Sequence, residues 1–186
     1  VVAEQRAIDA GTSVQALMER AGAALAEAAY RYAGKMPALV LVRPGNNGGD
    51  GYVAARQLRA RGVVVRVAVL GEPTSSAAQR ARGEWSDEVE QIGDQTGSAP
   101  LLIDCLFGTG LKRPPEDSVS QALSRLCAEA QATIGCDLPT GVETDSGATL
   151  GPVPQFDMTV AFGALKPAHR LHPAMGRCGR LVLSHV

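Results

Sequence analysis

Short apolar runs alternate with helix-like segments along most of this chain, and this alternation constrains the fold more than any other feature of the sequence. The first three runs are residues 38–42 (ALVLV), 63–70 (VVVRVAVL) and 100–104 (PLLID). Runs with no polar side are typical of strands that are buried on both faces of a parallel sheet. The pattern therefore predicts a doubly wound α/β sandwich with a mainly parallel sheet.

The remaining segments continue the same alternation. Apolar and small residues recur at close to helical spacing over residues 13–33, where Thr12 or Ser13 can cap the helix and Gly34 can end it. A shorter helix is expected before it, over residues 2–10. Further helices are predicted over residues 52–61, 75–92 and 117–130, and further strands over residues 132–137, 158–162 and 180–184. The turn-rich residues 93–98 leave room for a very short strand.

The length and charge of the chain narrow its function. With 186 residues it is predicted to form a single domain over residues 1–186. A net charge of −1 and an aromatic content of 4% argue against a nucleic-acid binder. The apolar stretches are far shorter than the ~18 residues of a membrane span, and no charged-then-apolar leader opens the chain. Neither a membrane protein nor a signal peptide is therefore expected.

The cysteines indicate a reducing compartment. Cys105, Cys127, Cys136 and Cys178 form no C-x-x-C pair, and two of them lie inside apolar runs. Buried, reduced thiols in a cytoplasmic protein are therefore expected, with a disulfide framework or a zinc site as the alternative.

A glycine-rich segment, G-N-N-G-G-D-G at residues 45–51, follows the first predicted strand. Its glycines allow positive φ angles and a close approach of a ligand to the main chain. The segment leads into a predicted helix N-terminus, which favours an anion such as a phosphate. It is neither a Walker A loop nor a G-x-G-x-x-G fingerprint. A ligand-binding loop is predicted here, and a sharp strand-to-helix turn is the alternative.

Two aspartates, Asp104 and Asp137, end apolar runs that are predicted to be buried strands. A carboxylate at the edge of a core is costly unless it is paired, hydrogen-bonded or bound to a cation. If the two strands are neighbours, repulsion between the carboxylates invites a hard cation with oxygen ligands. The alternatives are that each aspartate caps a turn, or that Asp137 faces a substrate as an acid or base.

Other charged or ionisable residues give weaker signals. A second glycine loop, residues 108–117, carries Lys112 and Arg113, which either meet phosphates or remain in solvent. Lys166 follows a predicted strand and is a candidate to contact a phosphate or a developing charge, or else a solvent lysine. His169 and His172 have no nearby carboxylate that would complete a metal site, so both are expected at the surface.

Four segments, taken in order, resemble one known family. They are PGNNGGDGYVAARQL, DCLFGTGLKRP, CDLPTGVETDSG and TVAFGALKPAH. Together they resemble the YjeF N-terminal domain family of NAD(P)H-hydrate epimerases over essentially the whole chain. The resemblance implies a three-layer αβα Rossmann-like sandwich. It also implies that the strand before residues 45–51 lies next to the strand ending at Asp104, which lies next to the strand ending at Asp137.

The resemblance implies an isomerase that interconverts the R and S forms of hydrated NADH and NADPH at C6, in the repair of nicotinamide nucleotides. One potassium ion per subunit would be held by Asn47, Asp104 and Thr140; family members usually have serine at the position of Thr140, and threonine keeps the hydroxyl. Arg43 stands where the family often has a small residue. Asp137 is the first candidate for the catalytic acid or base. The substrate-binding residues implied are Asn46, Asn47, Gly48, Gly49, Asp50, Gly108, Thr109, Gly110, Leu111, Lys112, Arg113, Pro114 and Asp137.

The resemblance also bears on partners. It implies a homodimer and, in some members, a fused C-terminal dehydratase that uses ADP or ATP and acts only on the S form. The competing hypothesis is a non-catalytic nucleotide-binding or dimerisation module, as in mRNA-decapping scaffolds that contain similar domains. The presence of both aspartates with an intact N-N-G-G-D segment favours the enzyme. A generic dinucleotide-dependent oxidoreductase would need the G-x-G-x-x-G fingerprint that this chain lacks.

Overall fold

The structure of the chain is a computed structural model, which describes residues 8, 9 and 11–186. The predicted helix over residues 2–10 lies outside the described residues, apart from Ile8 and Asp9. The helices are α1 (Val14–Ala33), α2 (Asn46–Ala60), α3 (Ser76–Gly83) and α4 (Asp117–Glu129). The strands are β1 (Ala38–Val42), β2 (Val65–Val69), β3 (Glu90–Gln91), β4 (Leu101–Cys105), β5 (Ala132–Cys136), β6 (Met158–Phe162) and β7 (Arg180–Ser184). Two short 3-10 helices, Pro167–His169 and Ala174–Arg177, lie between β6 and β7.

The strands form one seven-stranded sheet in the order β3-β2-β1-β4-β5-β6-β7, and every neighbouring pair is parallel. β2 and β3 extend the sheet to one side of β1, and β4 to β7 extend it to the other. The carboxyl ends of β1 and β4 therefore form a topological switch point, where open α/β sheets bind their ligands. Asp104 of β4 lies opposite Leu41 of β1 and opposite Gly135 of β5. The predicted parallel sheet and the predicted neighbours are confirmed.

Helices cover both faces of the sheet, which makes three layers. Val40 and Val42 of β1 belong to the core that contains α1 and α2, whereas Leu39 and Leu41 belong to the core that contains α4. All four side chains are at most 1% exposed. Burial on both faces explains why the strand sequences lack a polar side.

α1 begins and ends at the predicted residues. The Ser13 hydroxyl oxygen accepts a hydrogen bond from the N–H of Ala16 at 3.1 Å, which caps the first turn. Gly34, with a φ of 61°, donates its N–H to the Tyr30 carbonyl and ends the helix. Within the described residues, no helix combines the length and the apolar character that crossing a membrane requires.

The segment after β2 contains less helix than predicted. α3 ends at Gly83 instead of continuing to residue 92. Glycine is a poor helix former, and the chain leaves the helix to bury the ring of Trp85, which is 3% exposed. The short strand lies at Glu90–Gln91, before residues 93–98 where it was expected.

The four cysteines are free: Cys105, Cys136 and Cys178 are buried, and Cys127 is half-buried. Burial raises the pKa of all four thiols, so they stay protonated. No group of three or more His, Cys, Asp and Glu side chains in the described part of the chain could hold a metal ion. The expectation of free, buried thiols is confirmed for three of the four cysteines.

Candidate active site

The carboxyl ends of four neighbouring strands bring the predicted site residues to one edge of the sheet. Asn47 follows β1, Asp104 lies in β4, Asp137 and Thr140 follow β5, and Lys166 follows β6. Because β1, β4, β5 and β6 are parallel neighbours, their tips lie side by side. Residues from four distant parts of the chain therefore meet at this edge.

The glycine-rich segment 45–51 is not a loop but the beginning of α2, which starts at Asn46 and not at residue 52. In this segment only Gly45, with a φ of 116°, has the positive φ that was expected. The prediction that these residues form a loop is therefore wrong for residues 46–51, whereas ligand binding by them stays a prediction. The free N–H groups of the first turn of α2 do lie at the edge of the sheet, as an anion-binding helix N-terminus requires.

The helical glycines of α2 are needed for close packing. A Cβ on Gly48 would lie 1.9 Å from the carbonyl oxygen of Arg43, and a Cβ on Gly49 would lie 2.5 Å from the Met18 sulfur. A Cβ on Gly51 would lie 2.7 Å from a side chain of β1 and 2.9 Å from one of β4. Tertiary packing therefore explains the cluster of glycines, and it overrides their low helix propensity.

The two asparagines at the start of α2 have different surroundings. Asn46 is exposed, and its Oδ1 accepts a hydrogen bond from the Ser75 hydroxyl at 2.8 Å. The side chain of Asn47 lies against Gly108, where its Oδ1 would be 3.0 Å from an added Cβ. The Nδ2 of Asn47 is buried and has no hydrogen-bond partner among the described residues. A buried polar atom without a partner is costly and marks a place where a ligand would bind.

Asp104 is a fully buried carboxylate held by three donors. Its Oδ1 accepts hydrogen bonds from the Leu106 N–H at 3.0 Å and from the Thr140 hydroxyl at 2.8 Å. Its Oδ2 accepts from the Thr140 N–H at 2.9 Å. Burial raises the pKa of Asp104 to about 6, although these hydrogen bonds lower it. No lysine or arginine of the described chain forms an ion pair with this carboxylate.

Asp104 and Thr140 place carboxylate and hydroxyl oxygens next to each other. The Thr140 hydroxyl donates to Asp104, accepts from the Phe107 N–H at 3.1 Å and retains one lone pair. The side-chain amide of Asn47, after β1, offers one further neutral oxygen at the neighbouring strand tip. One carboxylate with neutral oxygens suits a hard ion of low charge, whereas zinc prefers histidine and cysteine ligands. The donor set is therefore compatible with the potassium ion that the family resemblance implies.

Asp137 occupies a strained turn. Its φ of 65° is the only positive φ of a non-glycine residue in the described chain. The Leu138 N–H donates to the Cys136 carbonyl oxygen at 2.8 Å, which closes a three-residue γ-turn around Asp137. γ-Turns with a positive central φ are rare and cost on the order of 1–3 kcal/mol. Strain of this kind persists where the surrounding structure imposes it, and it is common at functional sites.

Lys166 is the counter-ion of Asp137. Its Nζ donates to Oδ1 of Asp137 and, at 2.8 Å, to the carbonyl oxygen of Phe162. The Phe162 N–H donates to the same Oδ1 at 3.2 Å, whereas no described residue donates to Oδ2. Lys166 therefore neutralises Asp137 and reduces its expected repulsion with Asp104. Among the described residues, Oδ2 of Asp137 has no donor and Asp104 has no lysine or arginine partner.

His169 is fully buried, so the expectation of a surface histidine is wrong for it, whereas His172 is exposed. Nδ1 of His169 accepts a hydrogen bond from the Lys166 N–H at 2.9 Å, and Nε2 of His169 lies 2.7 Å from the Asp137 carbonyl oxygen. The sequence does contain a signal for the bond between His169 and the Lys166 N–H. Pro167 is typical of a first helical position, and it puts His169 where a side chain reaches back to the N–H of the capping residue.

The second glycine loop borders a cavity of about 690 Å³, which is lined by residues 107–116 and Arg43. The predicted binding residues in its lining are Gly108, Thr109, Gly110, Leu111, Lys112, Arg113 and Pro114. Lys112 forms an ion pair with Glu143 at 2.6 Å, so it is not a free phosphate contact. The Arg43 guanidinium lies 4.4 Å from the centre of the Phe107 ring.

Two other predicted binding residues border a different cavity. Asn46 and Asp50 line a space of about 120 Å³ between α1 and α2, together with Leu17 and Phe162. Phe162 also contacts the Asp137–Lys166 pair through its backbone. The predicted substrate-binding residues are therefore not gathered in one cavity: seven line the larger one, Asn46 and Asp50 line the smaller one, and Asn47, Gly48, Gly49 and Asp137 line neither.

Comparison with known proteins identifies the family of the chain. Residues 14–168 match the YjeF_N family, described as YjeF-related protein N-terminus. The chain is 34% identical over 190 residues to a bifunctional NAD(P)H-hydrate repair enzyme Nnr from Thermofilum pendens, with 95% of this chain and 36% of that protein covered. It is 36% identical over 176 residues to the Escherichia coli enzyme of the same name, with 88% and 33% covered. The chain spans about a third of the length of these bifunctional relatives.

A shorter relative and a solved structure complete the comparison. The chain is 35% identical over 179 residues to an NAD(P)H-hydrate epimerase from Bordetella pertussis, with 91% of this chain and 78% of that protein covered. The crystal structure of yeast ynu0 has the same fold, with a TM-score of 0.76 at 22% identity over 94% of this chain and 79% of that one. On the family match and the identity to these relatives, the chain belongs to the family of YjeF-related protein N-termini.

Proposed function

We propose that this chain is an NAD(P)H-hydrate epimerase, an isomerase that interconverts the R and S forms of hydrated NADH and NADPH. The observation that carries the proposal is the shielded Asp137–Lys166 pair, which a strained turn holds at the switch-point edge of the sheet. The Bordetella relative, which carries this enzyme name, supports the same activity because the chain covers 78% of it.

Inversion at C6 requires the C–O bond to break and to form again on the other face of the ring. The lone pair of the ring nitrogen assists departure of the protonated hydroxyl group as water and leaves an iminium-like ring. Water then adds to C6 and loses a proton. The reaction therefore needs a group that gives a proton to the leaving hydroxyl and takes one from the entering water.

Oδ2 of Asp137 is the atom assigned to this proton transfer, because Oδ1 is occupied by Lys166 and by the Phe162 N–H. Lys166 holds the carboxyl group in one orientation. A carboxylate in a shielded position also stabilises the positive charge that develops on the ring. Lys166 thus acts on the reaction through Asp137.

The start of α2 supplies donors for the phosphates of the dinucleotide. α2 is 15 residues long, so its N-terminus carries a full helix dipole and free N–H groups. The absence of a Cβ at Gly48 and Gly49 keeps this turn narrow. The loop of residues 108–114 lies next to the adjoining strand tip and lines the larger cavity, which offers room for the rest of the substrate.

The proposal includes one potassium ion per subunit, held by Asn47, Asp104 and Thr140. When bound, it would neutralise the charge of Asp104 and fix the tips of β1, β4 and β5 relative to one another.

The proposed setting is a cytoplasmic homodimer that works with a dehydratase, either fused or separate, which removes the water from the S form. The four free cysteines support a reducing compartment. The bifunctional relatives support the fused arrangement. No nucleic acid or membrane is among the proposed partners.

A chromatographic assay tests the proposed activity. Purified R-form hydrated NADPH is incubated with the protein in potassium buffer, and appearance of the S form is compared with the spontaneous rate. We expect rapid equilibration with wild type and with Asp94→Asn, an exposed carboxylate beyond β3, but not with Asp137→Asn. Wild-type conversion at the spontaneous rate would favour the non-catalytic module, and full activity of Asp137→Asn would refute the assignment of Asp137.

A further inference from the structure

Almost every polar group of Asp137 forms a hydrogen bond with the rest of the protein. Its N–H donates to the Val160 carbonyl oxygen at 2.8 Å, and its carbonyl oxygen lies 2.7 Å from Nε2 of His169. Oδ1 accepts from Lys166 and from the Phe162 N–H. Of the polar atoms of Asp137, only Oδ2 has no hydrogen-bond partner among the described residues.

His169 connects Asp137 to its counter-ion. The ring bonds the Asp137 carbonyl through Nε2, and it accepts the Lys166 N–H at its Nδ1 at 2.9 Å. One imidazole ring thus links the backbone of Asp137, the proposed catalytic residue, to the backbone of Lys166, which neutralises it. The ring is 0% exposed, so water does not compete for either bond.

Only one form of the ring can make both bonds. Nδ1 accepts from an N–H and must carry no proton, so the ring is neutral and Nε2–H donates to the Asp137 carbonyl oxygen. Burial lowers the pKa of His169, and so do the charges of Lys166 and Arg170, while Asp137 raises it. A charged ring would bring an Nδ1–H against the Lys166 N–H and break this link.

The turn at Asp137 needs such a link because a γ-turn with a positive central φ is strained. Without a donor on its carbonyl oxygen, the backbone can relax and carry the carboxyl group away. We propose that His169 is a positioning residue for the epimerisation, which holds the γ-turn of Asp137 and the backbone of Lys166 so that Oδ2 faces the reacting hydroxyl. This inference rests on the proposed function of the same site.

Three substitutions separate the two bonds of the ring. His169→Gln keeps a donor at the Nε2 position, His169→Asn keeps an acceptor at the Nδ1 position, and His169→Leu keeps neither. Small displacements of a reacting group can cost about 100-fold in rate. We expect His169→Leu to lower kcat by about 10- to 100-fold with KM within about threefold of wild type, since the substrate contacts remain. His169→Gln should recover most of kcat, and His169→Asn should not.

Urea unfolding of each variant corrects the rates for the folded fraction, and His172→Gln, an exposed histidine of the same segment, serves as the control. A wild-type kcat for folded His169→Leu would overturn the inference. Equal recovery by the glutamine and asparagine variants would overturn it as well, because a merely structural ring would not distinguish the two bonds.

Two further measurements do not depend on activity. Nitrogen-15 NMR of the His169 ring should show the neutral Nε2–H tautomer at pH 7, and an Nδ1–H tautomer or an imidazolium would contradict the inference. A crystal structure of His169→Leu should show Asp137 with a negative φ, and an unchanged φ would contradict it. If wild type fails to epimerise while the NMR and crystallographic results are as expected, the proposed function is wrong, but the conclusion that His169 fixes the turn at Asp137 is retained.

Discussion

Replacing one partner of the Asp137–Lys166 pair should destabilise the protein far more than replacing both. The side chains of Asp137 and Lys166 are only 11% and 14% exposed, so each ion depends on the other for most of its stabilisation. Removing one partner of a buried pair costs about 3–5 kcal/mol, whereas replacing both by uncharged residues is often nearly neutral. Because some exposure remains, we expect about 3 kcal/mol for Asp137→Asn and for Lys166→Met.

The double variant should lie within about 1 kcal/mol of wild type, because no unpaired charge is left. Asparagine tolerates a positive φ, so Asp137→Asn keeps the γ-turn and isolates the effect of the charge. The free energies of unfolding are measured by urea titration at pH 7 and combined as a double-mutant cycle. The proposed function adds that the double variant, although stable, remains inactive as an epimerase.

The Arg59–Asp87 pair provides an exposed control for this cycle. Its side chains are 45% and 47% exposed, and exposed pairs contribute about 1 kcal/mol or less. Single losses below about 1 kcal/mol at Asp137 and Lys166 that simply add in the double variant would refute the argument, because they would mean that the pair is as well solvated as the control.

Three further predictions concern the frame of the site. Gly48→Ala should lower the free energy of unfolding by about 3 kcal/mol or more, because its Cβ would lie 1.9 Å from a backbone oxygen, whereas Gly83→Ala, which meets nothing within 4 Å, should be neutral or stabilising in the same urea titration. The thermal unfolding midpoint should be higher in potassium chloride than in choline chloride at equal ionic strength, and Asp104→Asn should remove most of the difference; equal midpoints for wild type would argue against the ion. Because burial holds the pKa of His169 below 6.5 in the folded state, its stability contribution is complete above pH 6.5 and is lost as the pH falls below that value. Wild type should therefore lose more free energy of unfolding than His169→Gln between pH 7 and pH 5, and parallel profiles would contradict this.

The strands could be predicted because burial on both faces leaves a direct trace in the sequence. Residues 38–42, 158–162 and 180–184 were predicted with the observed bounds, and the other three long strands differ by at most two residues at either end. The neighbour order of β1, β4 and β5 was expected only from the family resemblance, since an apolar strand sequence does not specify its partners.

The start of α2 could not be predicted from local signals. Glycine, asparagine and aspartate favour turns over helices when they are considered alone. Only glycine fits at residues 48, 49 and 51 of this helix, because α1, β4 and the end of β1 with Arg43 approach too closely for a side chain. This proximity exists only in the folded protein.

The partners of Asp137 were also beyond the sequence. Lys166 and His169 lie 29 and 32 positions from Asp137, and the contact arises because β6 pairs with β5. The residue types at Asp137 and Lys166 indicated chemistry, but nothing in the spacing indicated that one is the counter-ion of the other. His169 was missed because its role depends on the backbone of a residue in another turn.

The assembly of the site from four strand tips has a consequence for how it forms during synthesis. The contacts between different strand tips, such as Thr140 with Asp104 and Lys166 with Asp137, close long segments of chain, and such non-local pairings form slowly. The ribosome releases β1 and α2 first, but the turn at residue 137 gains its lysine and histidine only after residues 166–169 have emerged. This edge of the sheet is therefore among the last parts of the domain to be completed, and a nascent chain stalled before residue 166 would contain Asp137 and most of the sheet but neither Lys166 nor His169.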